Sequence, residues 1–153
     1  RVEKIHETLK RLHLSATVRH ADATQPEKWW DGQPFERILL DVPCSGSGVV
    51  RRHPDIKFLR QAYDIQALAQ QQARLLDTVW PLLAPHGKLL YVTCSVFAEE
   101  NHLQIQDFLI KHKDAREIPL TVEWGQAMPL GRQILTGEHN FDGFYYALCQ
   151  KSD

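Results

Sequence analysis

Apolar residues along this chain repeat with two periods, and the alternation of the two suggests the architecture. From Val2 to Leu12 they fall at Val2, Ile5, Leu9 and Leu12 with Lys and Arg between, the spacing of a helix. A short strand-like run, Ala16 to His20, follows, and Ala21-Asp22-Ala23-Thr24 ends it. Gln25 to Gln33 reads as a loop or short helix. Phe35 to Leu40 is a compact buried strand with Asp41 at its end. After Asp64, a fair N-cap, apolar residues at Ile65, Leu68, Ala69, Leu75, Leu76, Val79 and Leu83 predict a long amphipathic helix, stopped by Pro85-His86-Gly87. Lys88 to Thr93 is a second buried strand. A helix from about Ala98 to His112 comes next, with Glu99 and Glu100 at its positive end. Ala115 to Val122 and Gly143 to Gln150 are further strand candidates, separated by a Gly- and Pro-containing loop from Glu123 to Asn140. Strands alternating with helices indicate an α/β sandwich.

Composition narrows the picture only a little. The 153 residues are 43% apolar and 24% charged, with a formal net charge of -1, so one domain with a real core is expected and no global charge demands nucleic acid. Three cysteines without CxxC spacing argue against a disulfide framework or a zinc cluster. Eight histidines show no H-x-x-x-H spacing, and no metal is expected. No signal peptide or long apolar segment is evident, so a cytoplasmic protein with no membrane contact is the expectation. The first residue is Arg1, which suggests a processed chain or a piece of a longer one.

Two stretches carry the candidate chemistry. I-L-L-D-V-P-C-S-G-S-G at 38–48 and L-L-Y-V-T-C-S at 89–95 are each an apolar run leading into a cysteine where a strand gives way to a loop. Ligands of open α/β sheets bind outside the carboxyl ends of the strands, so Cys44 and Cys94 are expected to meet in one site. Pro43 stiffens the first loop and leaves a carbonyl without an N–H. A thiolate adding to carbon 6 of a pyrimidine activates carbon 5 toward an electrophilic methyl group, which splits one hard step into two. A nearby carboxyl group would hold the base, and a second thiol would assist release.

Residues 41–45, D-V-P-C-S, and 93–95, T-C-S, resemble two motifs of the RNA cytosine-5 methyltransferases. R-R-H-P-D-I at 51–56, A-E-E-N at 98–101 and D-G-F-Y-Y-A at 142–147 are similar to the bacterial Sun/Fmu branch, which methylates 16S ribosomal RNA. The resemblance implies that Cys94 is the nucleophile, Cys44 the release helper and Asp41 the base-recognition carboxylate. It implies S-adenosylmethionine as cofactor, with Asp22 near the adenine and Asp41 and Pro43 on the cofactor side. Arg51, Arg52 and His53 become phosphate contacts for ribosomal RNA. Cys149, inside a strand pattern, is expected to be a buried hydrophobe, and Trp29, Trp30 and Trp80 to be packing residues. Two other readings are a non-catalytic RNA-binding or assembly module and a cysteine hydrolase using Cys94.

The family's Gly-rich cofactor loop, of the type D-x-C-A-A-P-G-G-K, has no counterpart in these residues. The resemblance therefore implies that residues 1–153 are the carboxyl-terminal part of a methyltransferase domain, inactive alone. Its sheet would be an incomplete Rossmann-like one, holding strands 3 to 7 of the order 3-2-1-4-5-7-6 and lacking strands 1 and 2. Ala16–His20, Phe35–Leu40, Lys88–Thr93, Ala115–Val122 and Gly143–Gln150 would be strands 3, 4, 5, 6 and 7. The bare edge of strand 4 is then expected either to be covered by Ala16–His20 folding back or to pair with a second copy of the chain.

Overall fold

In the computed structural model, which describes residues 2–153, six strands form one sheet with two helices packed on a single face. The elements are α1 (Val2–Leu12), β1 (Phe35–Asp41), α2 (Ile56–Leu59), α3 (Ala62–Val79), β2 (Leu83–Thr93), α4 (His102–Lys111), β3 (Ala115–Glu117), β4 (Gln126–Ala127), β5 (Arg132–Ile134) and β6 (Phe144–Lys151). β1 pairs parallel with β2, and β2 pairs antiparallel with β6. The far side of β6 is shared end to end: β5 lies beside 144–146 and β3 beside 149–151. The order β1-β2-β6-β3, with β6 antiparallel, is the 4-5-7-6 order expected from the sequence. None of the described helices is long and apolar enough to cross a membrane.

Alternation along the strands divides the sheet into two faces. Leu40, Tyr91 and Ala147 are neighbours in register on one face, as are Ile38, Leu89 and Cys149. Against that face α3 buries Gln72, Leu75, Leu76 and Val79, and α4 buries Gln104, Ile105 and Phe108. Each large apolar side chain so buried contributes about 1.5–3 kcal/mol. Trp80 closes the end of this core, edge-on to Phe108 with ring centroids 5.0 Å apart, and its indole N–H donates to Asp114. Cys149 is fully buried, as expected. Trp29 and Trp30 stay outside the core: their indole N–H groups donate to the carbonyls of Asp22 and Gln33 and brace the segment before β1.

Five elements differ from the sequence-based expectation. Ala16–His20 forms no strand and does not cover β1, whose only partner among the described residues is β2; a five-residue run with no ladder to join has nothing to satisfy its backbone. Leu39 of β1, on the sheet face opposite the helices, is 68% exposed. The long helix ends at Val79 rather than near Pro85, because Pro81 lacks the N–H that would extend it; Leu83 to Gly87 join β2 through an irregular register. Asp64 is not the cap but the third helical residue, accepting at 2.9 Å from the backbone N–H of Gln61. The helix expected over 98–112 is broken at Asn101, which leaves helical geometry. The strand expected over 115–122 stops at Glu117, just before Pro119, and the loop expected over 123–140 contains β4 and β5.

Candidate active site

The two cysteines meet. Cys44 follows β1 and Cys94 follows β2, and their sulfurs lie 3.3 Å apart, both partly buried and both free thiols. The parallel pairing brings this about, since Asp41 stands opposite Val92 and each chain then turns out of the sheet at the same level. The loop carrying Cys44 is tied to the loop carrying Cys94 through Gly48, whose N–H donates to the Cys94 carbonyl at 2.8 Å. The Gly48 carbonyl in turn accepts from the Gly143 N–H at 2.8 Å and from the Thr136 hydroxyl at 2.8 Å. A Cβ at position 48 would stand 2.1 Å from the Gly143 carbonyl oxygen, so only glycine allows three segments to come this close.

Beneath the thiols lies a buried polar network. Glu100 is completely buried. One of its oxygens accepts from the Ser45 backbone N–H at 2.8 Å and from the Gln72 amide at 3.0 Å. The other accepts from the Ser95 hydroxyl at 2.5 Å. The same Gln72 amide donates to the Pro43 carbonyl at 3.0 Å, and the single Tyr91 hydroxyl proton lies between the Glu100 carbonyl, 2.8 Å away, and the Gln72 side-chain oxygen, 3.1 Å away. Ser45, Ser47 and Ser95 hydrogen-bond one another, and Asn101 donates to the Ser95 carbonyl and to Gln133. Both thiol loops are thus held from below by groups on α3, β2 and the 98–101 turn. Glu100 was expected at a helix terminus, and Gln72 was not singled out. The available signal was the position of Gln72 three and four residues before Leu75 and Leu76, on the apolar face of α3.

The electrostatics distinguish the two sulfurs. The hydrogen bond from Cys44 favours the thiolate of Cys94 and lowers its pKa, against the opposing effects of burial and of the charges on Asp41 and Glu100. The same hydrogen bond, together with burial, raises Cys44 well above the ordinary range. The two shifts run in opposite directions, down at Cys94 and up at the more deeply buried Cys44. Burial pushes the Cys149 thiol up to about 12, which makes it inert. Among the described residues no histidine hydrogen-bonds either sulfur of the pair.

Asp41 stands exposed at the carboxyl end of β1 and makes no hydrogen bond to the described residues, so its carboxyl group is free to accept from a ligand. The Pro43 carbonyl is occupied by Gln72. Asp22 is differently employed: its carboxylate accepts from the Thr24 N–H and hydroxyl and from Gln25, and caps the turn before β1. Arg51 and Arg52 both pair with Asp142, a buried carboxylate at the start of β6, and Arg51 also donates to Asn140. Arg52 remains exposed along most of its length, and His53 is exposed.

A family model described as 16S rRNA methyltransferase RsmB/F matches residues 1–150. The ribosomal RNA small subunit methyltransferase B of Vibrio cholerae is 52% identical over 151 residues, covering 99% of this chain and 34% of the relative. That of Shewanella oneidensis is 48% identical over 152 residues, covering 99% and 35%. The chain thus spans about a third of the length of the relatives it matches. Among solved structures, NSun6 from Pyrococcus horikoshii, crystallised with SFG, superposes with a TM-score of 0.86 at 26% identity, covering all of this chain and 39% of that one. A methyltransferase homologue from the same organism gives 0.80 at 28% identity, covering 97% and 49%.

Proposed function

The chain belongs to the 16S rRNA methyltransferase RsmB/F family, and from that premise we propose that it carries the thiol half of an active site that methylates carbon 5 of a cytosine in 16S ribosomal RNA. The single observation that carries this reading is the 3.3 Å contact between the Cys44 and Cys94 sulfurs. Residues 1–153 are then the carboxyl-terminal part of one methyltransferase domain. S-adenosylmethionine supplies the electrophilic methyl group when bound, a reading supported by the neighbour solved with SFG, an analogue of that cofactor. Within this chain Asp41 offers a free carboxyl group at the carboxyl end of β1, beside the thiol loops. The Asp22 carboxylate is engaged within its own turn by Thr24 and Gln25.

The chemistry follows from the two thiols. Cys94, the sulfur with the lowered pKa, adds to carbon 6 of the cytosine and makes carbon 5 nucleophilic. Asp41 receives the exocyclic amino group of the base and holds the ring against Cys94. After carbon 5 has gained its methyl group, its proton departs to water and the bond from carbon 6 to the Cys94 sulfur breaks. Cys44, still protonated, donates toward the departing sulfur. The cytosine must be unstacked for its carbon 6 to be reached. Ribosomal RNA as substrate makes the bacterial cytoplasm the place of work.

The test is positional. A chimera in which this chain replaces the matching third of the Vibrio cholerae relative is given unmodified 16S RNA carrying tritium at carbon 5 of its cytosines. Methylation at carbon 5 releases tritium to water in step with methyl incorporation. Incorporation without release would place the methyl group elsewhere and overturn the reading.

A further inference from the structure

We propose that the aromatic cleft beside the thiol pair is a stacking subsite for a nucleobase adjacent to the target in single-stranded RNA, with Trp124 as its platform. The inference rests on the function proposed above and adds to it a recognition element. The cleft encloses about 390 Å³ and is walled by Trp124, Phe141, Phe144 and Tyr146, with Arg52 and Asp142 at its rim. It is continuous with the thiol site in two ways. Asp41, Val92 and Tyr146 stand side by side in register across β1, β2 and β6. Gly143, between the rim and the wall, is hydrogen-bonded to Gly48, which is hydrogen-bonded to Cys94.

The aromatic residues here are displayed, not stored. Trp124 is 39% exposed and Phe141 57% exposed, and they adjoin in one cleft as contiguous apolar surface of the kind that marks interaction sites. Trp124 is also held rigidly. Arg132 on β5 donates to the Trp124 carbonyl at 3.0 Å and to the Gly125 carbonyl at 2.7 Å. Gly125 has φ +65°, and a Cβ there would lie 2.7 Å from the Gln133 carbonyl oxygen, so the loop is pressed onto β5. The Trp124 ring packs against Tyr146 with centroids 5.1 Å apart and planes inclined by 69°, the Arg132 guanidinium lies 6.0 Å from its centroid, and the ring still keeps part of its surface exposed. A rigid indole face beside cations is the equipment of single-strand RNA binding, where bases stack on aromatic rings and Arg or Lys meets the phosphates. Arg52 supplies the cation: Asp142 fixes its guanidinium, and its exposed N–H groups remain for a phosphate. Phe144 and Tyr146, in the same lining, lie nearly parallel at 6.1 Å.

The experiment measures binding of a fluorescein-labelled ten-nucleotide single-stranded RNA to this chain by anisotropy, with Cys94 alkylation rate as a control for the fold and for the thiol site. Trp124→Ala is expected to weaken binding about 5- to 150-fold, the range for loss of one base–aromatic stack. Trp124→Phe should retain most of the affinity and Trp124→Leu should not, since leucine approaches phenylalanine in bulk but has no π face. The alkylation rate should be the same in all three variants. Equal RNA affinity in Trp124→Ala, rescue by Leu as good as by Phe, or no measurable RNA binding by the unsubstituted chain would each overturn the subsite. Loss of tritium release in the chimera with this binding pattern intact would overturn the proposed reaction and leave the subsite standing.

Discussion

Glu100 lies directly under the thiol loop, its carboxyl oxygen 2.8 Å from the backbone N–H of Ser45, the residue that follows Cys44. Fifty-five residues separate the two, and the bond fixes the height of the Cys44 loop above the sheet. Glu100 is fully buried and accepts three donors, so its removal takes a buried partner from the Ser45 N–H, the Gln72 amide and the Ser95 hydroxyl. A buried donor left without a partner costs about 1–3 kcal/mol. Glu100→Ala is expected to lower stability by roughly 3 kcal/mol or more on that basis, read as a shift of the urea unfolding midpoint. Glu100→Gln, which keeps one acceptor, should lose less. An Ala variant within about 0.5 kcal/mol of the original, the range of ordinary surface changes, would show that the network does not hold the loop.

The thiol pair sets a pH dependence. A hydrogen bond from Cys44 stabilises the Cys94 thiolate, so Cys94 is ionised at lower pH than a free cysteine, whose pKa is about 8.5. The rate of iodoacetamide labelling at Cys94 should therefore reach half its maximum below that value. Cys44→Ala removes the donor, and the midpoint should move up. Cys149, with its thiol pushed up to about 12 by burial, should stay unlabelled in the folded chain near neutral pH. Labelling of Cys44 ahead of Cys94, followed by peptide mass spectrometry, would reverse the assignment of the two sulfurs.

At Gly48 the close approach leaves no room for a methyl group. Gly48→Ala would put a carbon 2.1 Å from the Gly143 carbonyl oxygen, so the loop, the Cys94 carbonyl or the start of β6 must move. The expected outcome is a loss of about 1–3 kcal/mol, as for overpacking elsewhere, together with slower Cys94 labelling as the sulfurs separate. Unchanged stability and labelling would mean that the three segments are not held together at this glycine.

Much of this site is legible in the sequence because its key residues are local in sequence or lie at strand ends. D-V-P-C-S and T-C-S place Asp41, Cys44 and Cys94 at the ends of two parallel strands, and parallel pairing alone makes them neighbours. What supports them is not legible in the same way. Glu100 and Asn101 sit in what reads as a continuous helix, and only the partners supplied by Ser95, Thr93 and Gln133 explain why the helix breaks there. Trp124 belongs to a loop whose two short strands have too few residues to show a period. Ala16–His20 has strand composition but no neighbour, and strand structure needs a ladder as well as a propensity.

The β1 edge gives a prediction about association. With Ala16–His20 elsewhere, β1 offers an unpaired row of backbone groups and an exposed Leu39. Such an edge pairs readily with another chain. Sedimentation of this chain should show concentration-dependent self-association, and Leu39→Lys should shift it to monomer, since a lysine on an edge strand opposes pairing. A monomer at every concentration, in buffer without denaturant, would contradict this.

The roles of the two thiols are tested most directly by trapping the adduct. Cys44→Ala and Cys94→Ala are each placed in the chimera, and each protein is incubated with S-adenosylmethionine and unmodified 16S RNA and run on a denaturing gel. Addition needs Cys94 and release is assisted by Cys44, so Cys44→Ala should accumulate a slow-migrating covalent protein–RNA band. Cys94→Ala should show no band and no turnover. A band in Cys94→Ala and none in Cys44→Ala would contradict the account.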